Sequence, residues 1–411
     1  MTALEILSIL VATAAVFGWI TSRWLKLPIT IGTMALTVLA ALALGVAGSF
    51  APGIHGWAVE LVRQIDFESL ILHGMLPLLL FAAAFLLDID ELSRQKLAVS
   101  ILAIPGTVLC FLLVSVLMHF ASGGRADWIE CLLFGALLSP TDPIAVIEML
   151  RRTGVPKPIE AQLAGESLFN DGIGAVLFIT MLEVARGHAP TPWQVAALLI
   201  VKAGGATLLG VVAAWLASQL MRRVESYQVE VLLTLTLALG GYVIAEQLRL
   251  SAPLEAVIAG IALRFFNKGL PQGSIAYKSI DAFWEVIDEV QNAVLFVLLG
   301  LEAIVITLDA SSLRAGLAAI LAVNTVRLAV VFLLFGVLRM IRPGTPGSRS
   351  ILCWGGLRGG LSIALALSVP EALGRSWMLG ATYLVVVFSI VIQGGSMEAL
   401  IRWRNRRISV S

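Results

Sequence analysis

Apolar runs of roughly 17–25 residues, the length that crosses a bilayer as a helix, recur along the whole chain between short charged breaks. They predict about thirteen transmembrane helices, centred near residues 12, 38, 79, 108, 138, 174, 206, 238, 260, 298, 328, 360 and 388. The ninth, over residues 253–266, is short for a full crossing, and amphipathic connectors are expected around residues 54–68 and 274–286. The expected fold class is an all-α polytopic membrane protein without a soluble domain, ending in a short tail over residues 401–411.

The basic residues test this count. Alternate breaks hold nineteen Lys and Arg residues, and the other breaks hold one each, six in all. By the positive-inside rule the N-terminus lies outside and the C-terminus in the cytoplasm of a plasma (inner) membrane. The first apolar run follows Met-Thr-Ala-Leu-Glu, which lacks the basic region of a signal peptide, so it is expected to stay as a helix. An odd count also means that six helices, one linker helix and six more place the second half upside down relative to the first. Such inverted repeats mark transporters, whose corresponding helices are often broken at mid-membrane. Here the fifth span of the first half carries Ser139-Pro-Thr-Asp-Pro143, and that of the second half carries Gly355-Gly-Leu-Arg-Gly-Gly360. Proline removes a backbone donor and glycine lets the chain unwind, so both are expected to be breaks.

Composition agrees with a membrane setting: 59% of residues are hydrophobic and 13% charged, with a net charge of +1, against about 25% charged in soluble domains. The near-zero charge gives no case for nucleic acid. Cys110, Cys131 and Cys353 sit in apolar runs and suit neither a disulfide framework nor a metal site.

Ionisable residues inside the spans carry the chemistry, because charge in hydrocarbon is unfavourable and marks function by default. Glu166, Ser167, Asn170 and Asp171 are spaced to share a helical face in the sixth span. A face of oxygens around one acid suits a small hard cation that competes with a proton. Asp171 is the expected carrier, holding either proton or cation and moving only when occupied. Asn170 stands where a second acid would add a charge, so one proton for one monovalent cation is expected. Thr141 and Asp142 at the first break offer a hydroxyl, a carboxylate and free carbonyls. Glu166 and Arg327 are read as a structural ion pair, Arg358 as a cap on orphan carbonyls, and Lys202 as a snorkelling side chain. Asp288, Glu289 and Asn292 open the tenth span and could form a cation funnel or a solvated helix start. His55, His73, His119 and His188 lie in loops or near helix ends and offer little for pH sensing.

The motifs Ser139-Pro-Thr-Asp-Pro-Ile-Ala-Val146, Gly165-Glu-Ser-Leu-Phe-Asn-Asp-Gly172 and Gly355-Gly-Leu-Arg-Gly-Gly-Leu-Ser-Ile-Ala-Leu365 resemble those of the monovalent cation:proton antiporters of the sodium/proton exchanger type, prokaryotic NhaP-like. Phe283-Trp-Glu-Val-Ile-Asp-Glu-Val290, Asn292 and Leu299-Gly-Leu-Glu302 also look like that family's tenth-span region. The resemblance covers essentially the whole chain. It implies two inverted six-helix repeats with crossed, unwound helices, and a homodimer. Dimerisation parts would cover residues 1–96 and, with the linker helix, 187–310. A mobile core would cover 97–186 and 311–400, carrying the ion by an elevator-like movement. It further implies Asp171 as the ion-binding acid, Thr141 and Ser167 as oxygen ligands of Na+, Asp142 as organiser of the crossing, and a Glu166–Arg327 pair. An Asn-Asp pair resembles the electroneutral branch. Some relatives carry an acid in the third span where this chain has Ala82.

The leading expectation is therefore an antiporter of Na+ (or Li+ or K+) against H+ in a lipid bilayer, serving pH and sodium homeostasis and needing no cofactor. A channel would need a filter loop, and none is legible. An intramembrane enzyme using Ser167 with Glu166 would need a nearby histidine as base, which the sequence does not place.

Overall fold

A computed structural model describes residues 3–408 apart from 26, 49–55, 57, 58, 61, 63, 188–190, 225, 269–274, 307–309 and 342–347. The chain is helical throughout these residues. The helices are α1 (Ala3–Ile20, extended by a π-turn over Thr21–Leu25), α2 (Ile29–Gly48), α3 (Phe67–Phe85) and α4 (Ile89–Ala121). The broken fifth span follows as α5 (Trp128–Leu138) and α6 (Ile144–Thr153). Next come α7 (Lys157–Ala185), α8 (Pro192–Met221), α9 (Tyr227–Gln247), α10 (Ala252–Phe266), α11 (Ile275–Leu301) and α12 (Ala310–Ile341). The broken twelfth span is α13 (Ser348–Trp354) and α14 (Gly360–Leu367), and α15 starts at Arg375–Val387 and runs on through Phe388–Gly394 into Gly395–Ile408.

Among the described residues, nine helices are long and apolar enough to cross a membrane. The other four expected spans are the two broken ones, the short α10 and the amphipathic α11. Helix α10 has 15 residues, about 22 Å at 1.5 Å per residue, less than the roughly 30 Å hydrocarbon core. It packs on α3, α7, α8 and α9, and most of its side chains are buried. Protein rather than lipid surrounds it, so its length need not match the bilayer.

One expected connector is corrected. Residues 274–286 are not a separate amphipathic segment: from Ile275 they form the first half of α11 and continue without a break to Leu301. Acidic residues at that end face an aqueous cavity, which gives a spanning helix the charge content of a connector. Of the connector expected at 54–68, residues 54, 55, 57, 58, 61 and 63 lie outside the described residues, His55 among them, as does His188.

Helix ends follow local chemistry. Asp88 caps α4 by accepting from the N–H groups of Asp90 and Glu91. Thr191 and Gln194 form a capping box on α8, and Gly154 closes α6 in the left-handed conformation. Two packing groups emerge. Helices α4, α5, α7, α12 and α15 pack on one another around the breaks, while α11 lies on α1, α2, α3 and α9.

Candidate functional site

The two breaks cross each other. The Asp142 N–H donates to the Leu357 carbonyl at 2.8 Å, an isolated antiparallel bridge that joins the unwound turns. Four helix ends therefore converge: the C-termini of α5 and α13 and the N-termini of α6 and α14. C-terminal ends carry partial negative charge and N-terminal ends partial positive charge. One buried cation and one half-buried anion meet them. Arg358, 1% exposed, donates from Nε to the Leu138 carbonyl at 2.6 Å and from Nη1 to the Gly356 carbonyl at 2.7 Å. Both carbonyls thereby have a charged donor. The Asp142 carboxylate accepts from the Ile144 N–H at 3.0 Å and lies against Gly359 at the head of α14. A Cβ at Gly359 would overlap Asp142 Oδ2, so only glycine fits there.

Helix α7 passes beside the crossing, and its polar residues fan out instead of forming one face. At 100° per residue Glu166 and Asp171 are about 140° apart, so they point to different neighbours. Glu166, 1% exposed, pairs bidentately with Arg327, whose Nη2 reaches Glu166 Oε2 at 2.9 Å. Arg327 also donates to the Leu352 carbonyl from Nε and Nη2, at 3.2 and 2.9 Å. The pair ties α7, α12 and α13 together. Asn170 grips the first break: its Oδ1 accepts from the Thr141 N–H at 3.0 Å, and its Nδ2 donates to Thr141 Oγ1 at 2.7 Å. Ser167 Oγ lies 3.2 Å from Thr141 Oγ1.

Asp171 differs from all of these. No hydrogen bond or ion pair involves it among the described residues. It lines a cavity of about 870 Å³ together with Thr141 and Asp142. Ser167 and Asn170 lie behind Thr141 and do not reach the cavity wall. The cavity continues past Glu148, Arg151, Lys157 and Arg264, so it opens at the end of the bundle that carries the basic loops.

Three other residues fall differently from expectation. Lys202 does not snorkel: its Nζ pairs with Glu183 Oε1 at 2.8 Å, across from α7. Ala82, the position matched to a third-span acid, faces away from the cavity into a cluster with Leu237 and Ala259, and Ala83 lines the cavity instead. Asn170 looked like a neighbour of the carrier acid; its hold on Thr141 exists only once the break crosses beside α7, so sequence spacing gave no signal for it. His119 stacks on Trp128 at 3.9 Å, and His73 lies 3.3 Å from Glu246, both far from the crossing in sequence and outside the cavity lining.

An all-α, multi-pass membrane protein with crossed broken helices and a one-ended cavity has the build of a secondary transporter. The model of the transmembrane sodium/hydrogen exchangers matches residues 11–403, and the chain belongs to that family. It is 38% identical over 408 residues to the Na+/H+ antiporter NhaP of Pseudomonas aeruginosa, covering 97% of this chain and 96% of that one. It is 33% identical to the Na+/H+ antiporter NhaH of Halobacillus dabanensis, covering 82% and 83%. Its fold matches the structure of the sodium proton antiporter MjNhaP1 from Methanocaldococcus jannaschii with a TM-score of 0.77 at 20% identity, covering 98% of each chain. Two inverted six-helix repeats are thus the architecture. As a member of an exchanger family the protein is a transporter and not an enzyme.

Proposed function

We propose that this protein is a secondary antiporter exchanging a monovalent alkali cation, sodium first, for protons across a plasma (inner) membrane. The observation that carries this reading is Asp171, a carboxylate at membrane depth with no ion-pair partner among the described residues, open to a cavity at the crossing of two broken helices. A carboxylate there is held by a proton or by a cation, and the two compete for the same oxygens. Thr141 offers the next oxygen on the cavity wall, and Ser167 the one behind it. Asp142 and Arg358 organise the crossing by balancing helix-end charge, and Glu166 with Arg327 braces the helices that hold it.

Because Asn170 is neutral and committed to Thr141, one proton exchanges for one cation and the cycle moves no net charge. The one-ended cavity supports alternating access over a channel, which needs a continuous pore. With the basic loops placed in the cytoplasm by the positive-inside rule, the cavity is inward-facing, the N-terminus is outside and the C-terminus inside. The packing groups fit a mobile core of residues 97–186 and 311–400 moving against residues 1–96 and 187–310, the latter forming a homodimer. Potassium in place of sodium uses the same site and the same carboxylate.

The test is cation-dependent proton movement in proteoliposomes, adding sodium, lithium or potassium in turn. Wild-type protein is expected to respond to at least sodium without strong dependence on membrane voltage. Asp171→Asn is expected to insert normally and show no exchange; full exchange by that variant would overturn the assignment.

A further inference from the structure

In the cavity that Asp171 lines, helix α11 presents Asp281, Glu285, Asp288, Asn292 and Leu295, at steps of four, three, four and three residues. That spacing makes one stripe along the helix, running inward from the mouth. Toward the mouth two of the lining carboxylates are paired: Asp281 is held by Arg264, with Nη1 to Oδ1 at 2.6 Å, and Glu148 by Arg152 at 2.7 Å. Glu285, between Asp281 and Asp288 on the stripe, makes no ion pair among the described residues. Asp288 makes no ion pair among the described residues, and the Asn292 amide interacts with its carboxylate.

Asn292 supplies a second, independent observation. It is 3% exposed and lines the cavity, yet its Oδ1 accepts no hydrogen bond from the described residues. Buried polar atoms are nearly always satisfied, so an unpartnered amide oxygen on a cavity wall asks for a donor or a cation. One turn deeper Leu295 packs on the head of α14: a Cβ at Gly360 would lie 2.8 Å from Leu295 Cδ1. The polar stripe therefore ends where the second break begins. A carboxylate on the cavity wall and a buried, unsatisfied amide oxygen one helical turn away match the oxygen ligands a hard cation takes when it keeps part of its hydration shell.

We propose that Asp288 and Asn292 form a second station for a monovalent alkali cation, occupied between the cavity mouth and Asp171. The proposal rests on the antiport reading above. The station lies on α11, in the packing group opposite the one that carries Asp171, so the cation passes from one group of helices to the other as it binds for transport.

The test is sodium-driven proton movement in proteoliposomes, with sodium presented at one face at a time. Asn292→Leu removes the oxygen at similar volume, and Asp288→Asn removes the charge. Each is expected to raise the half-saturating sodium concentration at the basic-loop face about tenfold, or about 1.4 kcal/mol, with the rate recovering as sodium is raised. At the opposite face the shift is expected to stay below about twofold, and Asn292→Asp is expected to retain the wild-type affinity. Unchanged half-saturation at the basic-loop face in both variants overturns the station. So does an equal rise at both faces, which would place the effect at Asp171 itself. Should a variant fail to insert, sodium titration of purified Asp171→Asn protein decides by itself: residual weak sodium binding supports the station, and no residual binding overturns it. Exchange that persists in Asp171→Asn would instead remove the antiport reading of Asp171, an outcome separate from these.

Discussion

Glu166 and Asp171 stand five positions apart on α7, and both carboxylates sit at membrane depth. Glu166 is 1% exposed and shares two hydrogen bonds with Arg327. Asp171 has no such partner and faces the cavity. Removing a charge from water is unfavourable in both places, but only one of them compensates that charge within the protein. Burial alone therefore does not mark the transport residue. The difference lies in what remains uncompensated: a paired acid has nothing to offer an ion, while an unpaired acid on a cavity must find a proton or a cation.

The sharpest way to break this comparison is to neutralise each acid and read stability. Glu166→Gln leaves the Arg327 guanidinium buried without its counter-charge, for which a loss of about 3–5 kcal/mol is expected. Asp171→Asn removes an uncompensated charge and is expected to leave the unfolding midpoint unchanged or higher, although it abolishes exchange. Thermal unfolding of the two purified variants in one detergent compares them directly. A loss in Asp171→Asn as large as in Glu166→Gln would mean that Asp171 is also a structural charge.

A smaller effect separates the ligand from its support. Thr141→Val keeps the shape but removes the hydroxyl that accepts from Asn170 and faces Ser167. The Asn170 amide then loses one partner, at about 1–3 kcal/mol for a buried polar group, while the bond from the Thr141 N–H to Asn170 survives. The half-saturating sodium concentration is expected to rise about tenfold, the 1.4 kcal/mol within that range. A wild-type response would remove Thr141 from the cation site and leave it as a brace.

Much of this architecture was legible in the order of residues. Apolar runs gave the spans, and two interruptions at matching places gave the breaks, whose crossing only the family resemblance implied. Proline alone was a weaker guide: Pro105 lies inside α4, which continues unbroken from Ile89 to Ala121. What distinguished Pro140 and Pro143 was the acid between them. Less legible were features that exist only after helices pack. Thr141 meets Asn170 across 29 residues of chain, and no local spacing announces that contact. The acidic first half of α11 looked like a connector because sequence does not show which charges face water inside a bundle. Ala82 and Ala83 are adjacent on α3, and one residue of helical rotation, about 100°, decides which of them meets the cavity.

The Lys202–Glu183 pair supplies a third case, midway between the first two. The lysine side chain is 8% exposed but its glutamate is 41% exposed, so water already solvates the acid and screens the pair. Such half-exposed pairs contribute about 0–1 kcal/mol. Lys202→Met keeps the apolar stem against its neighbours and leaves Glu183 to solvent. The expected result is an unfolding midpoint close to wild type and unaltered sodium-dependent exchange, since neither residue lines the cavity. A loss approaching that of Glu166→Gln would mean that α7 and α8 are held together by charge, and that an acid's exposure does not tell which of the pairs along α7 carries stability.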